Sequence, residues 1–108
     1  MLENAVFLHL RRMTQNIWYY SEPSFECNFL VGTDNKPETA IQVCYELNEE
    51  NRERELKGLA ETCKRFNLSN ALVVTFDQTD IASYDRMMAK IIDSKSFFVS
   101  SLEVFLNS

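Results

Sequence analysis

The feature of this sequence that most constrains its fold is an almost unbroken apolar run at residues 71–76. A run of this length suits a strand that is buried on both faces, as in a parallel sheet. Two patterned stretches precede this run. Residues 40–46 alternate between apolar and polar side chains, and about residues 49–66 have apolar positions at helical spacing. Strand, helix and buried strand together predict a βαβ unit with a right-handed crossover.

The segments before this unit predict one helix and two strands. Residues 1–14 carry apolar side chains three and four positions apart, which is typical of a helix with one buried face. Residues 17–20 are β-branched and aromatic, and residues 25–31 alternate between apolar and polar positions. A turn at residues 32–37 then joins the second strand to the third as a hairpin. The predicted order is therefore α-β-β-β-α-β.

The pattern becomes ambiguous after Asp77. Residues 84–92 have apolar side chains at helical spacing, although residues 89–92 suit a strand equally well. Residues 97–99 predict a strand, and residues 102–106 predict a short closing helix.

The two predicted helices begin differently. Asn48 is a suitable N-cap, and Glu49 and Glu50 follow it at the positive end of the helix dipole. The first helical pattern begins at Met1 without a cap, which indicates the C-terminal part of a longer protein. A native start with a frayed first turn is the alternative.

Composition narrows the classes of function. The chain has 108 residues, which is about the length of one domain. Its formal net charge of −5 disfavours binding to the phosphate backbone of a nucleic acid. No apolar run approaches the ~18 residues of a membrane span, so we expect no membrane association. Its three cysteines lack a C-x-x-C pair, which disfavours a disulfide scaffold or a zinc knuckle and favours a cytoplasmic protein.

A resemblance to a known family rests on short blocks between residues 2 and 75. These blocks are LENAVFLHLRR (2–12), WYY (18–20), NFLV (28–31), IQVCYEL (41–47), RERE (52–55) and LVVT (72–75). Together they resemble the C-terminal module of a large family of prokaryotic AAA-type ATPases of poorly defined function. The resemblance and the element order imply an α/β fold of the PD-(D/E)xK, or restriction-endonuclease-like, class, with an α-β-β-β-α-β core and a central mixed sheet flanked by helices. Residues 1–108 would then form one nuclease-like domain, with ATP and Mg²⁺ bound only by a preceding ATPase module.

In that fold a helix Glu, a strand Asp and a strand Glu-x-Lys hold a divalent metal and position the attacking water. Here Glu3 matches the helix Glu, while Asn28, Gln42 and Cys44 stand at the Asp, Glu and Lys positions. Asn and Gln keep the shape of the acids but remove the charge that binds a hard dication, and Cys supplies no equivalent of the Lys. The resemblance therefore implies a relic site at which we expect these four residues to converge without catalytic activity or bound cofactor.

Three hypotheses of function are open. The first is a non-catalytic binding or docking module whose partner is its own ATPase core or another protein. The second is an active metal-dependent nuclease that uses non-standard acids, with Glu3, Glu26 and Glu46 as the metal-ligand candidates. The third is a structural domain that contacts its ATPase core. The net charge and the lost triad favour the first and the third.

Three other residues have ordinary structural interpretations. His9 projects onto the apolar face of the first helix and has no second histidine as a partner, so we interpret it as a partly buried histidine. Cys63 lies in the apolar stripe of the second helix and is interpreted as a small core residue. Cys27 is predicted to lie on the face of the sheet opposite Cys44, which disfavours a two-thiolate metal site.

Overall fold

The computed structural model describes residues 2–22, 25–33 and 35–99. In chain order the elements are α1 (Leu2–Met13), β1 (Ile17–Glu22), β2 (Phe25–Thr33), β3 (Lys36–Val43), α2 (Arg52–Arg65), β4 (Asn70–Thr75), β5 (Asp80–Tyr84), β6 (Met87–Asp93) and α3 (Ser94–Val99). The first six elements follow the predicted α-β-β-β-α-β order. Among the described residues, no helix is long and apolar enough to cross a membrane.

The described strands form one six-stranded sheet in the order β1-β2-β3-β4-β6-β5. The first three strands pair antiparallel, as a meander. Strand β4 then pairs parallel with β3 on one side and with β6 on the other, and β5 closes the edge antiparallel to β6. The sheet is therefore mixed, with its parallel part at β3, β4 and β6.

Helices flank both faces of this sheet. On one face α2 packs through Leu59 and Cys63 against strand residues that include Val73. On the other face α1 packs through Val6, and α3 through Phe97, onto a second apolar cluster. The central strand β4 contributes alternate residues to both clusters, so it is buried on both faces as its composition predicts.

Alternation along β3 decides which side chains face which helix. Ile41 belongs to the cluster under α1 and α3, whereas Ala40 and Cys44 belong to the cluster under α2. In the parallel register Gln42 is opposite Val73, which also faces α2. The prediction that Gln42 and Cys44 share one face is therefore confirmed.

Three predicted boundaries around β3 were wrong: its start, its end and the start of the following helix. The strand begins at Lys36 and ends at Val43, so Lys36 and Pro37 belong to it rather than to the turn. The following helix begins at Arg52 with Asn51 at its N-cap position. Asn48 instead closes the preceding turn, because its side-chain Oδ1 accepts the backbone N–H groups of Glu50 and Asn51 at 2.9 and 3.0 Å.

The tail also differs from its predicted structure. Residues 84–92 contain the end of β5 and most of β6, so the helical interpretation of their spacing was wrong and the strand alternative for residues 89–92 is confirmed. Residues 97–99, predicted as a strand, lie in α3. The predicted helix at residues 102–106 lies outside the described residues.

Candidate functional site

The candidate site lies where the parallel strands end. Because β3, β4 and β6 run in the same direction, their carboxyl ends meet at one edge of the sheet. This edge is the usual location of ligand sites in α/β sheets. The loop at residues 44–51 leaves β3 at this edge and leads into α2, which places the first turn of α2 above Gln42 and Cys44.

Gln42 is buried against the first turn of α2. Its side chain is 4% exposed, and its Nε2 donates a hydrogen bond of 3.3 Å to Oε1 of Glu55. The acceptor is a carboxylate, which makes this hydrogen bond stronger than one between neutral groups. Gln42 thus ties the middle of the sheet to α2.

Cys44 lies beside this pair. Its Sγ donates to the carbonyl oxygen of Glu46 at 3.3 Å and accepts from Nδ2 of Asn51 at 3.8 Å, while the same Nδ2 donates to the Glu46 carbonyl at 2.9 Å. Burial, followed by the nearby charge of Glu55, raises the pKa of the Cys44 thiol to about 11. Cys44 is therefore a neutral thiol at pH 7.

The chemistry of this cluster is that of a small polar network. Its side chains are an amide from Gln42, a neutral thiol from Cys44, the carboxylate of Glu55 and the amide of Asn51. Across the part of the chain that the structure describes, no three His, Cys, Asp or Glu residues are grouped so that they could hold a metal. One carboxylate beside neutral groups is a poor site for Mg²⁺ or Mn²⁺.

The expected convergence does not extend to Glu3. Glu3 is an exposed residue of α1, and α1 packs on the sheet face opposite the one that carries Gln42 and Cys44. Asn28 and Glu26 belong to β2 by their backbone, but their side chains lie outside what the structure describes. Glu46, the remaining metal-ligand candidate, is exposed, and its backbone carbonyl is the part that contacts Cys44.

His9 and Cys63 have the structural surroundings that the sequence predicts. His9 is half-buried and makes edge contacts with the rings of Phe97 and Phe98, at centroid distances of 5.2 and 5.5 Å. Cys63 is buried in the core under α2, and burial raises the pKa of its thiol to about 11. The side chain of Cys27 lies outside the described residues.

The structure adds a residue that the sequence did not indicate. Gln78, which follows β4, holds the loop after β3 through both atoms of its side-chain amide. Its Oε1 accepts the backbone N–H of Leu47 at 2.7 Å, and its Nε2 donates to the carbonyl of Leu47 at 2.9 Å. The two loops at this edge are therefore fixed to each other.

Two aromatic side chains stand exposed at the same edge. Tyr45 and Phe76, here called the edge aromatic pair, stack with ring centroids 4.9 Å apart and ring planes 12° apart. They are 62% and 50% exposed, and the backbone N–H of Phe76 donates to the carbonyl of Tyr45 at 3.0 Å. Exposed aromatic area of this kind is enriched in binding surfaces.

Comparison with known proteins gives a relative without an assigned activity. The chain is similar to an uncharacterized protein of the archaeon Methanocaldococcus jannaschii, with 45% identity over 74 residues. The matched stretch covers 65% of this chain and 16% of the relative, so this chain spans a small part of that protein's length. No family model matches the chain, and no solved structure matches it significantly.

Proposed function

We propose that this chain is a non-catalytic binding or docking module with a restriction-endonuclease-like fold and a degenerate metal site. In this proposal it is an accessory C-terminal domain of an AAA-type ATPase. The observation that carries the proposal is the hydrogen-bonded network at Gln42 and Cys44. By the resemblance, these two residues stand where a nuclease would carry its Glu and Lys, and their side chains contact Glu55 and Asn51.

The order and pairing of the elements support the fold assignment. A restriction-endonuclease-like core needs a helix, an antiparallel three-stranded meander and a helical crossover to a parallel fourth strand. The segments from α1 to β4 have this order and these pairings, with α1 and α2 on opposite faces. In this interpretation β5, β6 and α3 extend the core at one side.

The charges at the site support the absence of catalysis. A nuclease of this class uses clustered carboxylates to draw a hard dication out of water. Gln42 offers a neutral amide in place of a carboxylate, and Cys44 is protonated at pH 7 because its pKa is about 11. Neither residue supplies the negative oxygen or the fixed positive charge that this chemistry needs.

The ATPase part of the proposal concerns the rest of a longer protein. The relative from Methanocaldococcus jannaschii is much longer than the stretch it shares with this chain, which leaves room for further domains in it. ATP and Mg²⁺ would be bound by a separate module, and that module is the proposed docking partner, with another protein as the alternative. The proposal places the chain in the cytoplasm, where free thiols such as Cys44 and Cys63 stay reduced.

The metal part of this proposal is tested by thermal unfolding with Mn²⁺ and with EDTA. The wild-type chain is expected to unfold at the same temperature in both. The triple variant Asn28→Asp, Gln42→Glu, Cys44→Lys restores the residue types of the nuclease pattern. It is expected to unfold at a lower temperature in EDTA and to regain stability with Mn²⁺, by about 2.7 kcal/mol at a metal concentration a hundred times Kd. An equal metal response of both proteins would mean that these positions are not a relic metal site.

The catalytic part is tested with DNA and RNA substrates. The wild-type chain is expected to leave linear and circular substrates intact in the presence of Mg²⁺ or Mn²⁺. Metal-dependent cleavage by the wild-type chain would overturn the proposal and favour the active nuclease. Cleavage that persists in EDTA would indicate a contaminating enzyme.

A further inference from the structure

We infer that the edge aromatic pair is the docking surface for an arginine-bearing segment of a protein partner. This inference rests on the proposed docking function and names the chemistry of its partner. It joins two separate observations: flat exposed aromatic rings, and an excess of acidic residues in the two loop segments that carry them.

The first observation is that the rings are exposed yet held in place. Ser94, at the start of α3, donates to the carbonyl of Phe76 from its backbone N–H at 3.2 Å and from its Oγ at 2.9 Å. Together with the bond from the Phe76 N–H to Tyr45, this ties the backbone under both rings to the ends of three strands. A binding surface that is already ordered loses little conformational entropy when a partner docks.

The second observation is the charge around the pair. Residues 44–50 and 76–80 carry five acidic side chains and no Lys or Arg. The acidic residues are Glu46, Glu49, Glu50, Asp77 and Asp80. In the described part of the chain none of these five residues makes an ion pair. The Nε of Arg54 on α2, by contrast, lies 3.9 Å from Oε2 of Glu55.

Arginine fits both observations at once. Its guanidinium stacks on aromatic faces through cation–π attraction and donates bidentate hydrogen bonds to carboxylates. Glu46 and Asp77 directly follow Tyr45 and Phe76 in the chain, and all four residues are exposed at this edge. An arginine side chain in a partner segment can contact a ring and a carboxylate together.

The same rings could also stack on the bases of a single-stranded nucleic acid. Such proteins combine aromatic platforms with a positive groove that follows the phosphates. Here the groups beside the rings are carboxylates, which repel a polyanion. The charge therefore favours a basic protein segment over RNA or DNA.

The test measures binding of this chain to labelled peptides by fluorescence anisotropy. One peptide alternates arginine with glycine, a second alternates lysine with glycine, and a pyrimidine oligonucleotide is the third probe. We expect the arginine peptide to bind most tightly. Tyr45→Leu/Phe76→Leu keeps apolar side chains at the edge but removes the aromatic faces, so the Kd for the arginine peptide should rise about tenfold.

A charge variant and its matched control separate the role of this edge from that of total charge. Glu46→Gln/Asp77→Asn should weaken binding of the arginine peptide and reduce its dependence on salt. Glu61→Gln/Asp85→Asn removes the same number of charges from the middle of α2 and from the β5–β6 turn, away from the edge. This control should bind as the wild type does, and circular dichroism confirms that each variant is folded.

Several results would overturn the inference. One is tighter binding of the oligonucleotide than of the arginine peptide. Others are equal binding by wild type and Tyr45→Leu/Phe76→Leu, or no arginine-peptide binding by the wild type at millimolar concentration. Any of these would leave the non-catalytic function untouched, because that proposal fails on a metal response or on cleavage.

Discussion

Replacing Gln42 with glutamate should convert a stabilising contact into a repulsive one. In the native chain, Nε2 of Gln42 lies 3.3 Å from Oε1 of Glu55. Gln42→Glu changes the donor into an oxygen of nearly the same size and position, so the packing of the site is preserved. Two carboxylates would then face each other in a place where the side chain of Glu55 is only 20% exposed.

The distance sets the size of the effect. Two unit charges 3.3 Å apart repel by about 5 kcal/mol at an effective dielectric constant of about 20. A proton taken up by the introduced carboxyl relieves this repulsion. Keeping that proton at pH 7 on a group of ordinary pKa about 4.3 costs about 3.7 kcal/mol. We therefore expect the free energy of unfolding at pH 7 to fall by the smaller of these two costs, about 3.7 kcal/mol, or about 15 °C in Tm.

The loss should depend on pH in a defined direction. The neighbouring charge raises the pKa of the introduced carboxyl in the folded state above its value in the unfolded chain. The folded variant then binds this proton more tightly than the unfolded variant does. The free energy of unfolding of the variant is therefore highest below about pH 4 and falls as the pH rises. Urea unfolding of wild type and variant between acidic and neutral pH measures this difference.

Two further variants make the result specific. Gln42→Met removes the hydrogen bond without adding a charge, so it should be destabilising without the same loss as pH rises. The swap Gln42→Glu/Glu55→Gln exchanges carboxylate and amide and should recover most of the lost stability. Equal stability of Gln42→Glu and wild type at pH 7, or no recovery in the swap, would refute the contact as described.

Three other predictions concern separate parts of the fold. Because the pKa values of Cys44 and Cys63 are about 11, both thiols should react with a thiol reagent about a hundredfold more slowly at pH 7 than a free cysteine. Rapid labelling of either residue in the folded chain would contradict the raised pKa values. The same raised values should make the free energy of unfolding fall above about pH 9. Gln78→Ala removes two hydrogen bonds to the loop after β3 and should cost about 1–3 kcal/mol in urea unfolding, with the exposed Asp77→Ala as a near-neutral control. Gly32→Ala should destabilise the β2–β3 hairpin, because a Cβ at Gly32 would overlap the backbone carbonyl of Lys36, the first residue of β3. An unchanged Tm of the variant would contradict this close approach.

The parts of the fold that the sequence predicts well are those with a local signal. The apolar run at residues 71–76 predicts the buried strand β4, although Phe76 lies beyond its end and is exposed. The alternation in β3 correctly assigns Gln42 and Cys44 to one face. Residues 97–99 were assigned wrongly because their helix begins at residue 94, where one distant contact and one local cap turn the chain. Ser94 donates to the carbonyl of Phe76, and Oδ2 of Asp93 accepts the N–H of Ser96, so the chain turns into a helix immediately after β6.

The sequence predicts two of the four side chains in the candidate site, those of Gln42 and Cys44. Alternation places Gln42 and Cys44, but the contact of Glu55 with Gln42 depends on how residues 44–51 turn between β3 and α2. The signal that was available is that a helix following β3 must begin at the edge where β3 ends. The placement of Glu3 failed because helical spacing does not tell on which face of the sheet a helix packs.

The central position of β4 has a consequence for how the chain folds. Both of its neighbours are parallel to it, so each pairing requires a crossover, one through α2 and the other through β5. Loop-closure entropy is lost before β4 gains either partner, which slows folding relative to the antiparallel meander. Once formed, this strand opens only when the whole sheet does, so the backbone amides of residues 71–75 should be the last to exchange with solvent deuterium.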